Sequence, residues 1–124
     1  MTKYPQRVAV LGASDKLDRY SYKAVRLLKQ HGHTVIPVHP ALSEVDGTPV
    51  APSLAHLSEP IDTLSLYLNP TRSSVLIDEI VALKPGRVIF NPGTESPKLA
   101  NALEEHNIPH EDACTLVLLK TQQF

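Results

Sequence analysis

The feature that most constrains this chain is a change of period inside one stretch, Arg7 to Gln30. It opens with Val8-Ala9-Val10-Leu11, a run too short and too β-branched to begin a helix. Gly12-Ala13-Ser14 breaks the run, and a polar segment, Asp15 to Arg19, follows. From Ser21 onward, Ala24, Val25, Leu27 and Leu28 fall on one side of a helix. Strand, tight turn and helix in that order commit the chain to an α/β beginning. In an open α/β sheet a ligand sits outside the carboxyl end of the first strand. Free N–H groups and the positive dipole end of the following helix favour a phosphate there. The stretch therefore predicts a phosphate-bearing ligand at residues 12–21.

Strand and helix signals go on alternating, which points to parallel βαβ units. The second strand is Thr34 to Val38, closed by His39-Pro40, and Pro37 in it must sit where pairing ends or bulges. A polar connection, Ala41 to Pro52, turns at Asp46-Gly47, and Ser53 to Leu57 reads as a short helix. The third strand, Thr63 to Leu68, ends at Asn69-Pro70. Thr71 then caps a helix with a stripe of Val75, Leu76, Ile80 and Leu83, stopped at Lys84-Pro85-Gly86. Arg87 to Phe90 is the fourth strand, ended by Asn91-Pro92-Gly93. Ser96-Pro97 starts the next helix, with Leu99, Ala102 and Leu103 facing inward. A short fifth strand falls near Ile108 to Asp112, and periodicity leaves Thr115 to Leu119 open between strand and helix.

The expected fold is α/β: a Rossmann-like, doubly wound, parallel five-stranded sheet of order 3-2-1-4-5, with residues 1–124 as one domain. Every strand ends in a turn at the same carboxyl edge. The candidate ligand-binding residues are those turns and the first helix start: Gly12, Ala13, Ser14, Arg19, Ser21, His39, Pro40, Asn69, Pro70, Asn91 and Gly93.

Charge and composition narrow the partner. A net charge of −1 without Lys/Arg runs argues against a nucleic-acid surface or an anionic-membrane patch. No N-terminal stretch reads as a signal peptide, and the apolar run Leu116 to Leu119 is far too short to cross a bilayer. The lone cysteine, Cys114, allows no internal disulfide and fits a reducing cytoplasm. A small molecule is the expected partner. The histidines form no metal-ligand spacing, Asp78-Glu79 and Glu104-Glu105 read as solvated helix faces, and no Gly-x-Ser-x-Gly elbow occurs. No catalytic constellation stands out. Against a dinucleotide, the G-x-G-x-x-G fingerprint is missing, since the glycine after Gly12 is Gly32. The acidic residue that would bind the ribose of NAD after strand two is missing too; His39-Pro40 stands there.

Residues 7–22, with Gly12, Ser14, Arg19, Ser21 and Tyr22 in a Gly-x-Ser…Arg-x-Ser-Tyr pattern, resemble the opening of small stand-alone coenzyme A-binding domain proteins. These are relatives of the CoA-binding domain of succinyl-CoA synthetase alpha subunits. The resemblance continues through Val35 to Pro40, Gly47, Pro52-Ser53-Leu54, Pro92-Gly93 and Cys114. It departs where the family often has Asn-Pro-Lys and this chain has His39-Pro40-Ala41, and where Trp-x-x-Gly becomes Phe90-Asn91-Pro92-Gly93. The final Met-Asp-Arg-Cys pattern reads Glu111-Asp112-Ala113-Cys114. The resemblance implies a Rossmann-like domain that binds CoA or an acyl-CoA, with the family's lysine contact to a CoA phosphate either supplied from elsewhere or absent. The expectation is a binding module, with Cys114 an inert thiol. The alternative class is an enzyme: an NAD(P)-dependent oxidoreductase, or the CoA-binding part of an acyl-CoA ligase acting with a partner chain.

Overall fold

Parallel pairing on both sides of the first strand sets the architecture. The computed structural model describes residues 4–124. Strand β1 (Arg7–Leu11) lies between β2 (Thr34–Val38) and β5 (Thr63–Leu66). β5 pairs with β6 (Arg87–Phe90), and β6 with β7 (His110–Asp112), all in parallel. The sheet order is β2-β1-β5-β6-β7. The pleat sends Val8 and Val10 to one face and Ala9 and Leu11 to the other, and all four are buried.

Each face has its own layer. Val25 and Leu28 of α1 (Tyr20–Gln30) and Leu119 of α5 (Thr115–Lys120) cover Val8 and Val10. Ile80 of α3 (Ile77–Leu83) and Leu99 and Leu103 of α4 (Pro97–Glu105) cover Ala9 and Leu11. The doubly wound, Rossmann-like, five-stranded parallel sheet is the one the sequence implies.

The strand order carries a correction. Counting only the strands of this sheet along the chain, the order is 2-1-3-4-5 rather than 3-2-1-4-5, so the third strand lies beside the first instead of beyond the second. The reason is at the outer edge of β2. Pro37 turns its carbonyl outward to the Ala51 N–H at 2.9 Å, and its ring nitrogen, facing the same way, has no hydrogen to donate. The His39 N–H reaches the Ala51 carbonyl at 3.1 Å, so residue 51 closes that edge against another strand. Ahead of it stands a hairpin of β3 (Glu44–Val45) and β4 (Thr48–Pro49), whose turn puts Asp46 at φ 50° and Gly47 at φ 73°.

Local boundaries also moved. The segment expected as one helix from Thr71 is α2 (Pro70–Ser73), a 3₁₀ turn (Ser74–Leu76) and α3. Its cap is Asn69, whose side chain accepts the Arg72 N–H at 2.9 Å, not Thr71. The tighter 3₁₀ turn shifts the helical phase and leaves Val75 79% exposed, outside the expected stripe. Ser96 caps α4 as expected, accepting the Leu99 N–H at 3.1 Å. Ser53 to Leu57 holds a single 3₁₀ turn, Leu54–His56, and the open tail is the helix α5.

Candidate functional site

The chain leaves β1 for β2 on one side, then returns across β1 to place β5 on the other. The carboxyl ends of β1 and β5 are thus the switch point of the sheet, where connections diverge and a crevice opens. A cleft of about 700 Å³ lies there. Its floor is Leu11 to Ser14 with Tyr67 and Leu68. One wall is the loop and first turn of α1, from Lys16 to Ser21; the other includes Arg72 and the 3₁₀ turn after α2. Val38 to Pro40 and Pro52 to Leu54 close the side toward β2.

The floor demands glycine at position 12. Gly12 has φ +91°, and a Cβ there would lie 2.9 Å from Leu68 Cδ2 and 3.0 Å from the Tyr67 carbonyl carbon. The N–H groups of Gly12 and Ala13 both point to the Val38 carbonyl, at 3.3 Å. They are therefore spent on the fold, and the tight turn itself offers no pair of free donors. The helix start does. The Lys23 N–H makes the first bond of α1, to the Arg19 carbonyl, which leaves the N–H groups of Tyr20, Ser21 and Tyr22 without a partner among the described residues. The N-cap, Arg19, supplies backbone only, and the first turn has no acidic residue. Ser14 shapes the loop before it by accepting the Lys16 N–H at 3.1 Å.

The charge here is unspent. Ion pairs among the described residues engage Arg7, Lys29, Arg87 and His110, and none engages Lys16, Arg19 or Arg72. The three cations, with Glu79 as the carboxylate among the lining residues, make the cleft positive on a chain of net charge −1. His39 contributes a directed donor. Its Nδ1 accepts the N–H groups of Ala41 at 2.9 Å and Leu42 at 3.1 Å, so the neutral ring carries its proton on Nε2.

Of the residues singled out from sequence, Gly12, Ala13, Ser14, Arg19, Ser21, His39 and Pro40 line this one cleft. Asn69, Pro70, Asn91 and Gly93 do not. Asn69 and Pro70 form the cap and first position of α2. Asn91 is buried, donating to the Ser65 hydroxyl at 3.0 Å and the Leu66 carbonyl at 2.9 Å while accepting the Thr115 N–H at 2.8 Å. Gly93 gives its N–H to the Glu95 carboxylate at 3.0 Å. Asn91 and Gly93 follow β6, one strand removed from the switch point.

Lys16, Tyr67 and Arg72 were missed by sequence reasoning. The signal for Arg72 was its place just after the third strand, and the wrong strand order hid it: only with β5 beside β1 does that helix start flank the cleft. Tyr67 borders the floor with its hydroxyl turned into the protein, where it has no hydrogen-bond partner among the described residues. Burial pushes this phenol up to about 12; the nearby hydroxyls of Thr115 and Ser65, bonded to each other at 2.8 Å, only temper the rise. Cys114, partly exposed, precedes α5 and does not line the cleft. Among the described residues no cluster of His, Cys, Asp or Glu is arranged to hold a metal ion, and no helix is long and apolar enough to cross a membrane.

A family model described as a CoA binding domain matches residues 6–120. A curated relative, the uncharacterized protein YneT of Bacillus subtilis, is 34% identical over 62 residues, which are 50% of this chain and 46% of that protein. This match thus spans about half of that relative's length. Among solved structures, a crystal structure of an uncharacterized protein superposes with a TM-score of 0.92 at 39% identity, covering 98% of this chain and all of the other. A Thermus thermophilus protein superposes at 0.88 with 31% identity over 97% and 91% of the two chains. The fold also recurs in a dinucleotide-forming acetyl-coenzyme A synthetase of Ca. Korarchaeum cryptofilum, with a TM-score of 0.73 and 17% identity over 86% of this chain and 25% of that one.

Proposed function

This chain belongs to the CoA binding domain family, and on that premise we propose that it holds coenzyme A or an acyl-CoA in the cleft at the carboxyl ends of β1 and β5. The observation that carries the reading is unspent positive potential in a largely apolar crevice: three unpartnered N–H groups at the start of α1, with Lys16 and Arg19 beside them. Such a helix start suits a phosphate, and the helix dipole adds to it. In this reading the pyrophosphate lies against the first turn of α1, with Arg19 able to grip it through its planar fork. Gly12 and Ala13 set the floor by shape rather than by donation. His39 Nε2–H and Pro40, at the end of β2, face the adenosine. The apolar side chains of Leu68 and Leu76 suit the pantetheine arm.

NAD fits less well. The end of β2 offers His39, a donor, where a ribose diol would want a carboxylate. Calorimetric titration of the chain with CoA and with NAD separates the two. Heat of binding with CoA and none with NAD is the expected result, and tight NAD binding with no response to CoA overturns the proposal. Native mass spectrometry of protein purified without added ligand would identify the acyl group by the mass that co-purifies.

A further inference from the structure

We infer that Arg72 is a second anion contact of the cleft, gripping a phosphate of the ligand from the wall opposite Lys16 and Arg19. The inference rests on the reading of the cleft as a CoA site, and it adds a specificity-determining residue to it.

Arg72 stands in α2, where the chain leaves β5, and lines the cleft. Its backbone is fixed: the Arg72 N–H goes to the Asn69 side chain at 2.9 Å, and the Ser73 N–H goes to the Asn69 carbonyl at 2.9 Å. Among the described residues its guanidinium makes no ion pair or hydrogen bond, although Glu79 borders the same cleft. The contrast with Arg87 is direct, since that side chain is engaged by Thr63, Glu111 and the Phe124 carbonyl. An arginine is always charged and offers a rigid fork of donors shaped for phosphate. Placed across the floor from the first helix start, it gives the cleft two cationic walls. A ligand with one phosphate group would satisfy one wall only. CoA carries a pyrophosphate and a separate 3′-phosphate, and it can engage both.

The test is calorimetric titration of wild type, Arg72→Ala and Arg72→Lys with CoA and with 3′-dephospho-CoA. Arg72→Ala should weaken CoA binding roughly ten- to hundredfold, the scale of a lost charge-assisted hydrogen bond. Arg72→Lys should recover part of that loss, and the thermal midpoint should stay unchanged in both. A loss seen with CoA alone identifies the 3′-phosphate as the partner; an equal loss with both ligands identifies the pyrophosphate. CoA affinity unchanged in Arg72→Ala overturns the inference and leaves the CoA reading standing. A wild type that binds neither ligand overturns both.

Discussion

The two edges of the sheet carry clefts of nearly equal size and opposite chemistry. The carboxyl-edge cleft is about 700 Å³, and the amino-edge cleft, between Tyr4 to Gln6, Arg87 and Phe124, is about 720 Å³. At the amino edge the charge is consumed. Arg87 donates to the Thr63 hydroxyl at 2.9 Å and to the Phe124 carbonyl at 2.7 Å, pairs with Glu111 at 3.4 Å, and covers the Phe124 ring at 4.6 Å. At the carboxyl edge Lys16, Arg19 and Arg72 have no such partners among the described residues. Volume therefore does not mark the site. In the proposed reading, unspent charge beside an uncapped helix start does.

The largest expected effect tests where the edges are alike. Both hold a glycine against backbone: a Cβ at Gly12 would lie 3.0 Å from the Tyr67 carbonyl carbon, and one at Gly86 only 2.7 Å from the Asp62 carbonyl oxygen. Gly12→Ala and Gly86→Ala should each destabilise the fold by about 2–4 kcal/mol in urea unfolding, through overpacking at both and left-handed strain at Gly12. A mild effect at Gly12 would show that the turn relaxes and that its shape is no fixed floor.

The next test separates the edges. Arg19→Ala should weaken CoA binding by about 1.5–3 kcal/mol, the range for hydrogen bonds to charged groups, with unchanged stability. Arg87→Ala should do the reverse, lowering stability by about 1–3 kcal/mol because it removes the bonds to the Thr63 hydroxyl and the Phe124 carbonyl, while leaving CoA affinity intact. The same phenotype from both variants would erase the distinction between committed and uncommitted charge.

How much of this was legible in sequence follows from which signals are local. The break at Gly12, the cap at Ser96 and the Asp46-Gly47 turn depend on neighbours along the chain, and each stands where the residues imply. Strand order is not local. Pro37 held the clue, because a strand that cannot donate on one side belongs at an edge, but nothing nearby shows which side its nitrogen faces. That one fact decides whether β5 joins β1, and so whether Arg72 borders the cleft. Asn91 stands outside the cleft for a similar reason: its side chain is consumed by Ser65 and Thr115, 26 and 24 residues away.

A smaller effect comes from the amino-edge layer. His33 is only 5% exposed, accepts the Gln6 N–H at Nδ1 and has no partner for Nε2 among the described residues. Burial, with the positive neighbours His31 and Arg87, holds it below the ordinary histidine value of 6.5. The unfolded chain then takes up the proton first, so stability should fall as pH drops below about 6.5 and level off below the folded value. Thermal midpoints between pH 8 and 5 should show this decline in wild type relative to His33→Gln; identical profiles would contradict it. Smallest of all, Cys114→Ser should keep CoA affinity within about 0.5 kcal/mol, since that residue lies outside the cleft. Rapid thiol labelling that CoA blocks would instead bring Cys114 to the ligand.

The central claim, that ligand goes to uncommitted charge at the carboxyl edge, is tested most directly by following backbone amide NMR signals of the whole chain during a CoA titration. The largest shifts should fall at residues 12–22, 38–42 and 67–72, including the unpartnered N–H groups of Tyr20, Ser21 and Tyr22. Residues 62–63, 86–87 and 122–124 should stay still. Shifts concentrated at that amino edge, with residues 12–22 unmoved, would contradict the account.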